Sequence, residues 1–296
     1  MQDTPATEKK RGQWWKLLLK IAVSAVCIWY VSTKIDFTIA GEALGKTKPW
    51  LLVTALLAFV ISKILASVRL NIYFRNIALQ IPEWPNLKLY WLGMFYNLFL
   101  PGSVSGDAYK VILLTKKYNI NYKKPTAAVL LDRFSGLLGL GLILAVYGFM
   151  VLENQVYSLL LATGAVAATV VVYLAIRKWF SEFTISFAPT LLIGILVQAA
   201  QVVCAYLIMA SLGIHTSLSA YIFLFLASSV VSVLPLSVGG LGIREIVFLE
   251  GSHYLGLLRE TAVVISILFY LITVFTSAFG LIYVFRDPLK EKRAHF

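Results

Sequence analysis

Six charged residues lie inside stretches that are otherwise apolar: Asp107 and Lys110, Asp132 and Arg133, Arg244 and Glu245. A charge at the centre of a bilayer costs roughly 2.5–3.5 kcal/mol on insertion scales, so such residues pair with one another or serve a site. Their formal charges cancel, as a mutually paired cluster requires. Adjacent residues on a helix diverge by about 100°, so Asp132 and Arg133 are not each other's best partners, and neither are Arg244 and Glu245. The expected pairs therefore join different elements: Asp132 with Arg244, or Glu245 with Arg133 or Lys110. Asp107 and Lys110, three apart, can pair within one helical turn. Cations so placed can hold phosphate or carboxylate, arginine with a two-pronged fork. The carboxylates of Asp107, Asp132 and Glu245 could carry protons if buried.

Two of these pairs follow similar phrases. Residues 100–110 read LPGSVSGDAYK and residues 234–244 read LPLSVGGLGIR, sharing Leu-Pro-x-Ser-Val-x-Gly-x-x-x-Lys/Arg. Each phrase interrupts an apolar region, with Pro101, Gly102, Ser103 and Gly106 in the first and Pro235, Ser237, Gly239, Gly240 and Gly242 in the second. A half-helix is expected to start at about Gly106 and again at about Gly242. Its free N–H groups and positive dipole end favour an anion, and glycine lets that anion approach the backbone.

The elements that must position these residues are membrane helices. Of 296 residues, 59% are hydrophobic and 14% charged, against about 45–50% and about 25% in a soluble domain. Crossing a bilayer takes about 20 apolar residues, and six stretches suffice: roughly 14–33, 50–68, 125–150, 156–176, 187–212 and 261–285. The two interrupted regions, about 87–115 and 218–258, have arms too short to cross and are expected to form re-entrant helical hairpins. Lysines and arginines decide the arrangement, since they concentrate on cytoplasmic ends. With the N-terminus inside and both interrupted regions as hairpins, most of them face the cytoplasm, with Arg69, Arg75 and Lys88 counted among them. Lys63, five residues from the expected end of the second span, is taken to snorkel to the interface. Three full spans separate the hairpins, so they open to opposite sides. The expected architecture is all-α and polytopic, six full spans plus two oppositely oriented hairpins forming an inverted repeat. It divides into a cytoplasmic tail (1–13), a transmembrane domain (14–286) and a second cytoplasmic tail (287–296).

The net charge of +12 fits basic cytoplasmic ends attracted to anionic lipid, with no nucleic acid as partner. Cys27 and Cys204 lie in apolar runs and three histidines are scattered, so no metal, cofactor or disulfide framework is expected. Enzyme signatures are missing too. Ser105-Gly106-Asp107 lacks the first glycine of an intramembrane aspartyl protease GxGD, because position 104 is Val, and Ser103-Val104-Ser105-Gly106 lacks that of a rhomboid-type GxSG. Gly239-Gly240-Leu241-Gly242 follows no strand, and there is no Walker A or HExxH.

Three motifs in order carry a resemblance: Asn97-Leu98-Phe99-Leu100-Pro101-Gly102 running into Gly106-Asp107, Asp132-Arg133-Phe134-Ser135-Gly136-Leu137, and Pro235-x-x-x-Gly239-Gly240-x-Gly242-x-Arg244-Glu245. Together they resemble the flippase-like transmembrane domain of lysylphosphatidylglycerol synthases, the multiple peptide resistance factors, from about residue 14 to 286. In bifunctional members a soluble domain attaches lysine from charged tRNA to phosphatidylglycerol, and the membrane domain moves the product to the outer leaflet. This chain ends at Phe296, shortly after its last span, so a stand-alone member without the synthase domain is expected. The family often has a basic or small residue after Pro-Gly and Glu-Arg in the second motif. Ser103 here bears on head-group choice, and Asp132 keeps the charge.

The resemblance and the residues imply a non-enzymatic lipid translocase of the bacterial inner membrane. Its cargo is an anionic or aminoacylated phospholipid or a lipid-linked intermediate. The alternative is a non-transporting partner that binds anionic lipid and positions a separate envelope enzyme. A membrane-embedded transferase has no catalytic motif to support it. A homo-oligomer and a separate lipid-modifying enzyme are the protein partners left open.

Overall fold

The computed structural model describes residues 21–289 apart from 23, 24, 27, 28, 31, 34–36, 46, 100–103, 234–236, 238 and 239. The described residues form ten α-helices and no strand: α1 (Phe37–Gly45), α2 (Pro49–Asn76), α3 (Glu83–Phe99), α4 (Ser105–Tyr118), α5 (Lys123–Val151), α6 (Gln155–Trp179), α7 (Phe187–Ser211), α8 (Leu218–Ser232), α9 (Ile243–Tyr254) and α10 (Arg259–Ala278). Short 3-10 helices, Ser181–Ser186 and Phe279–Tyr283, precede α7 and follow α10.

Among the described residues, five helical stretches are long and apolar enough to cross a membrane: Pro49–Asn76, Lys123–Val151, Gln155–Trp179, Ser181–Ser211 and Arg259–Tyr283. They coincide with five of the six expected spans, and the chain is an all-α polytopic membrane protein. The remaining span, 14–33, lies mostly outside the described residues. Tyr30, within it, packs against Leu249 and Val263, and its hydroxyl donates to Glu250 Oε1 at 2.7 Å.

Local chemistry explains several boundaries. α2 opens on Pro49, where the missing N–H costs no helical bond. Asn154 caps α6, its Oδ1 accepting from the Val156 N–H at 2.9 Å. Asn119 ends α4 in the left-handed region at φ 50°, which asparagine tolerates better than most residues.

Two apolar clusters sit at opposite ends of the helices they share. α2 gives Ala55 and Phe59 to one and Leu70, Tyr73 and Phe74 to the other. α5 likewise gives Leu140 and Leu144 to the first and Ala128, Val129 and Leu131 to the second. The second cluster also takes Leu79, Leu114, Ile176, Phe183 and Leu289, so the ends of α2, α4 and α6 and the chain after α10 meet there. Lys117 Nζ reaches Asp287 Oδ2 at 2.9 Å across the same end. At the other end, the Lys48 N–H donates to the Ser211 carbonyl at 3.0 Å, and Leu218, Leu255 and Leu257 pack on the first cluster. Consequently α3–α4 and α8–α9, each a pair of short helices packed side by side, open toward opposite ends of the molecule.

Glycines set how closely the helices approach, since in lipid close packing holds helices together more than apolar burial does. A Cβ at Gly194 of α7 would stand 2.6 Å from the Ser135 carbonyl oxygen, and one at Gly139 of α5 would stand 2.7 Å from the Gly194 carbonyl carbon. In the first pair, a Cβ at Gly106 would stand 1.9 Å from the Gly93 carbonyl oxygen. Backbone meets backbone at both crossings. α3 is also clasped by α2: Asn71 Nδ2 donates to the Ile81 carbonyl at 2.8 Å and Asn86 Nδ2 to the Ser67 carbonyl at 2.7 Å.

The structure corrects one boundary that matters for function. α2 does not end near residue 68 but runs to Asn76. Lys63 therefore lies midway along the helix, about 20 Å from either end at about 1.5 Å per residue, beyond snorkelling reach. Arg69, expected at the cytoplasmic end, is instead buried, with 4% of its surface exposed.

Candidate functional site

Between the two apolar clusters, α2 presents Lys63, Ala66 and Arg69, and α5 presents Arg133, Gly136 and Leu137, to an open cavity of about 380 Å³. α3 adds Tyr90, Met94, Asn97 and Leu98, α7 adds Gln198 and Gln201, and α10 adds Thr273 and Ser277. The second broken pair contributes Ser232 and Val233 at the end of α8 and Gly240 before α9. The end of α3, before the first interruption, and the second interruption thus border one space. Three cations face it, and no carboxylate is among its described lining residues.

Arg69 and Asp132 form an ion pair, Nε to Oδ1 at 2.7 Å, with both side chains buried. Gly136 and Gly194 make room for the guanidinium: a Cβ at either would stand 3.0 or 3.4 Å from Arg69 Nη1. Nη1 is itself buried and has no hydrogen-bond partner, although a buried donor normally finds one. Lys63 Nζ sits 4.4 Å over the Phe59 ring, and no carboxylate among the described residues lies within ion-pair distance of it. Gln198 donates from Nε2 to the Gly136 carbonyl at 3.3 Å, while its Oε1 is buried without a partner.

Behind this layer, the Asp107 carboxylate accepts from Lys110 Nζ at 3.0 Å and from Arg133 Nε. Lys110 Nζ also lies 4.6 Å from the Tyr90 ring centre, and its stem crosses Gly93 so closely that a Cβ there would stand 2.2 Å from Cε. Asn97 Oδ1 accepts the Gly106 N–H at 2.8 Å and so caps the start of α4, satisfying a donor the helix leaves open.

The second pair is built differently. Gly240 and Gly242 adopt φ +85° and +87°, backbone that favours glycine, and turn the chain into α9. Glu245 folds back over that start, accepting the Gly242 N–H at 2.6 Å and the Ser266 hydroxyl at 2.9 Å. Arg244 donates to the hydroxyls of Ser228 at 3.2 Å and Ser229 at 2.6 Å. Its guanidinium also lies over the rings of Phe269 and Phe225, at 4.5 and 5.3 Å, a favourable cation–π setting.

Several expected pairings are thereby replaced. Asp107 with Lys110 is present, but Asp132 pairs with Arg69 rather than Arg244, and Glu245 pairs with neither Arg133 nor Lys110. The physical reason is reach: among the described residues, hydroxyls, ring faces and an open helix start lie in contact with Arg244 and Glu245, and no opposite charge lies within ion-pair distance of either. Of the expected site residues, Asn97, Arg133 and Gly240 line the cavity directly. Asp107, Lys110 and Asp132 stand behind it through ion pairs, while Gly106, Gly242, Arg244 and Glu245 shape the two short helices that follow the breaks. Ser237 is buried in the second interruption. Pro101, Gly102, Ser103, Pro235 and Gly239 lie outside the described residues. Lys63, Arg69, Gln198 and Gln201 were not expected there. The apolar run that continues through Leu70, Ile72, Tyr73 and Phe74 was the signal that Lys63 and Arg69 belong to the interior of a helix. Among the described residues, no group of three histidine, cysteine or carboxylate side chains is placed to hold a metal ion.

The arrangement can bind an anion in a largely apolar surrounding, where charge-assisted hydrogen bonds are stronger than in water. Sequence relationships place the chain among membrane proteins. A UPF0104 membrane protein of Pyrococcus horikoshii is 23% identical over 304 residues, an alignment covering 85% of this chain and 90% of that protein. The family model described as the lysylphosphatidylglycerol synthase TM region matches residues 17–280, which takes in both helix pairs and every residue of the cavity. The chain belongs to that family, as a multi-pass membrane protein.

Proposed function

We propose that the chain is a lipid translocase of the cytoplasmic membrane, drawing a phosphate-bearing head group into the cavity while the acyl chains stay in surrounding lipid. One observation carries this reading: the cavity bordered by the end of α3, before the first interruption, and by Gly240 of the second is lined by Lys63, Arg69 and Arg133 and by no carboxylate among the described residues. Broken helices that meet between two sides of a membrane are how many secondary transporters place their binding sites.

In this reading α3–α4 enters from the cytoplasmic side and α8–α9 from the outside, as re-entrant hairpins. The end carrying Arg75, Lys116, Lys117, Arg177 and Lys178 then faces the cytoplasm, together with residues 1–13 and 287–296. A head group bound by Arg69 and Arg133 competes with Asp132 and Asp107 for the same guanidinium groups. That competition supplies the differential interaction a ligand needs in order to shift a conformational equilibrium. The chain itself performs no bond chemistry.

The test is a leaflet-accessibility assay in proteoliposomes containing trace labelled phosphatidylglycerol, an aminoacyl-phosphatidylglycerol or a polyprenyl phosphate. Purified protein should move at least one of these. Arg69→Lys, Arg244→Ala and Glu245→Ala should slow that movement, the first by roughly 10- to 100-fold if one charge-assisted hydrogen bond to phosphate is lost. If every lipid stays on its original leaflet while a lipid-modifying enzyme co-purifies in stoichiometric amount, the chain is instead a non-transporting partner of that enzyme.

A further inference from the structure

Counted by formal charge, the side chains around the cavity are out of balance. Lys63, Arg69, Lys110 and Arg133 face or back it, against the two carboxylates Asp107 and Asp132. Two positive charges are unmatched among the described residues. Arg244 and Glu245, outside the lining, cancel each other and do not change this. The excess has a location. Lys63, over the Phe59 ring, has no carboxylate within reach among the described residues, while Arg69, matched in charge by Asp132, keeps Nη1 buried without a hydrogen-bond partner. Asp107 is shared by Lys110 and Arg133. Excess buried charge is costly unless something neutralises it.

We propose that the cavity selects a doubly anionic phosphate group, a phosphomonoester or diphosphate without an ammonium, and that Lys63 and Arg69 are its direct ligands. Such a group places one oxygen on Lys63 Nζ and another on Arg69 Nη1 and leaves no positive charge uncompensated. A phosphodiester, with one negative charge, leaves one cation unmatched. A head group bearing lysine brings ammonium groups against three cations, with no carboxylate among the described lining residues to receive them, and like charges in a desolvated site are rejected. The inference rests on the lipid-binding reading above and narrows its substrate class. The same chemistry is offered by a lipid head group and by free phosphate.

The experiment uses the full-length protein in phosphatidylcholine nanodiscs doped with equal amounts of phosphatidic acid, phosphatidylglycerol and lysyl-phosphatidylglycerol. Retained lipid is read by native mass spectrometry, and leaflet exchange of the same three lipids is read separately in proteoliposomes. Retention should fall in that order, with phosphatidic acid about 10-fold or more above phosphatidylglycerol. Lys63→Gln, and Arg69→Lys, which keeps a cation for Asp132 but removes the second donor, should each cut phosphatidic acid retention by roughly 10- to 100-fold. Both should also narrow its margin over phosphatidylglycerol. Equal retention of lysyl-phosphatidylglycerol and phosphatidic acid, or indifference to Lys63→Gln in a variant that keeps its unfolding temperature, overturns the inference. Inorganic phosphate, titrated against the protein in phosphatidylcholine alone, distinguishes the sources. Stabilisation equal to that by phosphatidic acid assigns the site to soluble phosphate and overturns the lipid source. The expected order of retention without leaflet exchange overturns the translocase reading and leaves the charge selection standing, whereas exchange without head-group preference does the reverse.

Discussion

Arg69 and Asp132 form a buried pair whose members cannot be removed singly without leaving a charge uncompensated. Breaking such a pair on one side costs about 3–5 kcal/mol, whereas replacing both members with apolar residues is often neutral. Asp132→Leu alone should therefore lower the unfolding temperature in detergent far more than the double variant Arg69→Met/Asp132→Leu, which should recover much of the loss while abolishing lipid movement. Additive losses in that cycle would show that the two side chains are not coupled. Glu245 sits differently, since its partners are a backbone N–H and a hydroxyl. Glu245→Gln keeps an acceptor for the start of α9 and should retain most of the stability that Glu245→Ala loses, about 1–2 kcal/mol by analogy with other helix caps. A matching cycle between Glu245 and Arg133 should show no coupling, because neither touches the other.

Whole helices are placed by what their glycines allow. The α3–α4 crossing leaves no volume at Gly106, where a Cβ would fall 1.9 Å from the Gly93 carbonyl oxygen, and the α5–α7 crossing leaves none at Gly194. Neither neighbour is a flexible side-chain tip, so backbone must move. Gly106→Ala and Gly194→Ala should each destabilise by roughly 1–3 kcal/mol or more, the usual cost of overpacking. Gly164 on α6 is the control, because nothing lies within 4 Å of a Cβ there. Gly164→Ala should be neutral or raise stability by up to about 1 kcal/mol through helix propensity. Thermal unfolding of the three variants in one detergent checks the contrast, and equal losses at all three would contradict the close crossings.

For the molecule as a whole, the consequence to test is sidedness. The ends of α2, α4 and α6 and the chain after α10 share one apolar cluster, while the loops around Gly213 and Gly256 belong to the other end. In a background lacking Cys27 and Cys204, a single cysteine at Lys117 or Asp287 should resist an impermeant maleimide in intact cells and react after lysis. A cysteine at Tyr254, 75% exposed, should react in intact cells. Labelling of both ends from outside would overturn the proposed orientation and with it the entry side of each helix pair.

Apolar runs of membrane-crossing length, two interruptions in similar words, and six charges in apolar surroundings are properties of chain order. They determined the helical class, five spans now visible, the two short helix pairs and the family. Partner choice is a property of distance between elements far apart in the chain, and periodicity does not contain it. Asp132 could not be matched to Arg69 without knowing that α2 lies against α5 and α7 and continues past Arg69 to Asn76. Arg244 and Glu245 looked like salt-bridge residues because their charges are the loudest feature of an apolar segment. Only tertiary packing showed that serine hydroxyls, aromatic faces and an uncapped helix start stand closer to them. The cavity is likewise a tertiary product: Lys63, Arg69, Arg133 and Gln198 come from three helices, and the space between them exists because Gly136 and Gly194 leave a guanidinium room to lie there.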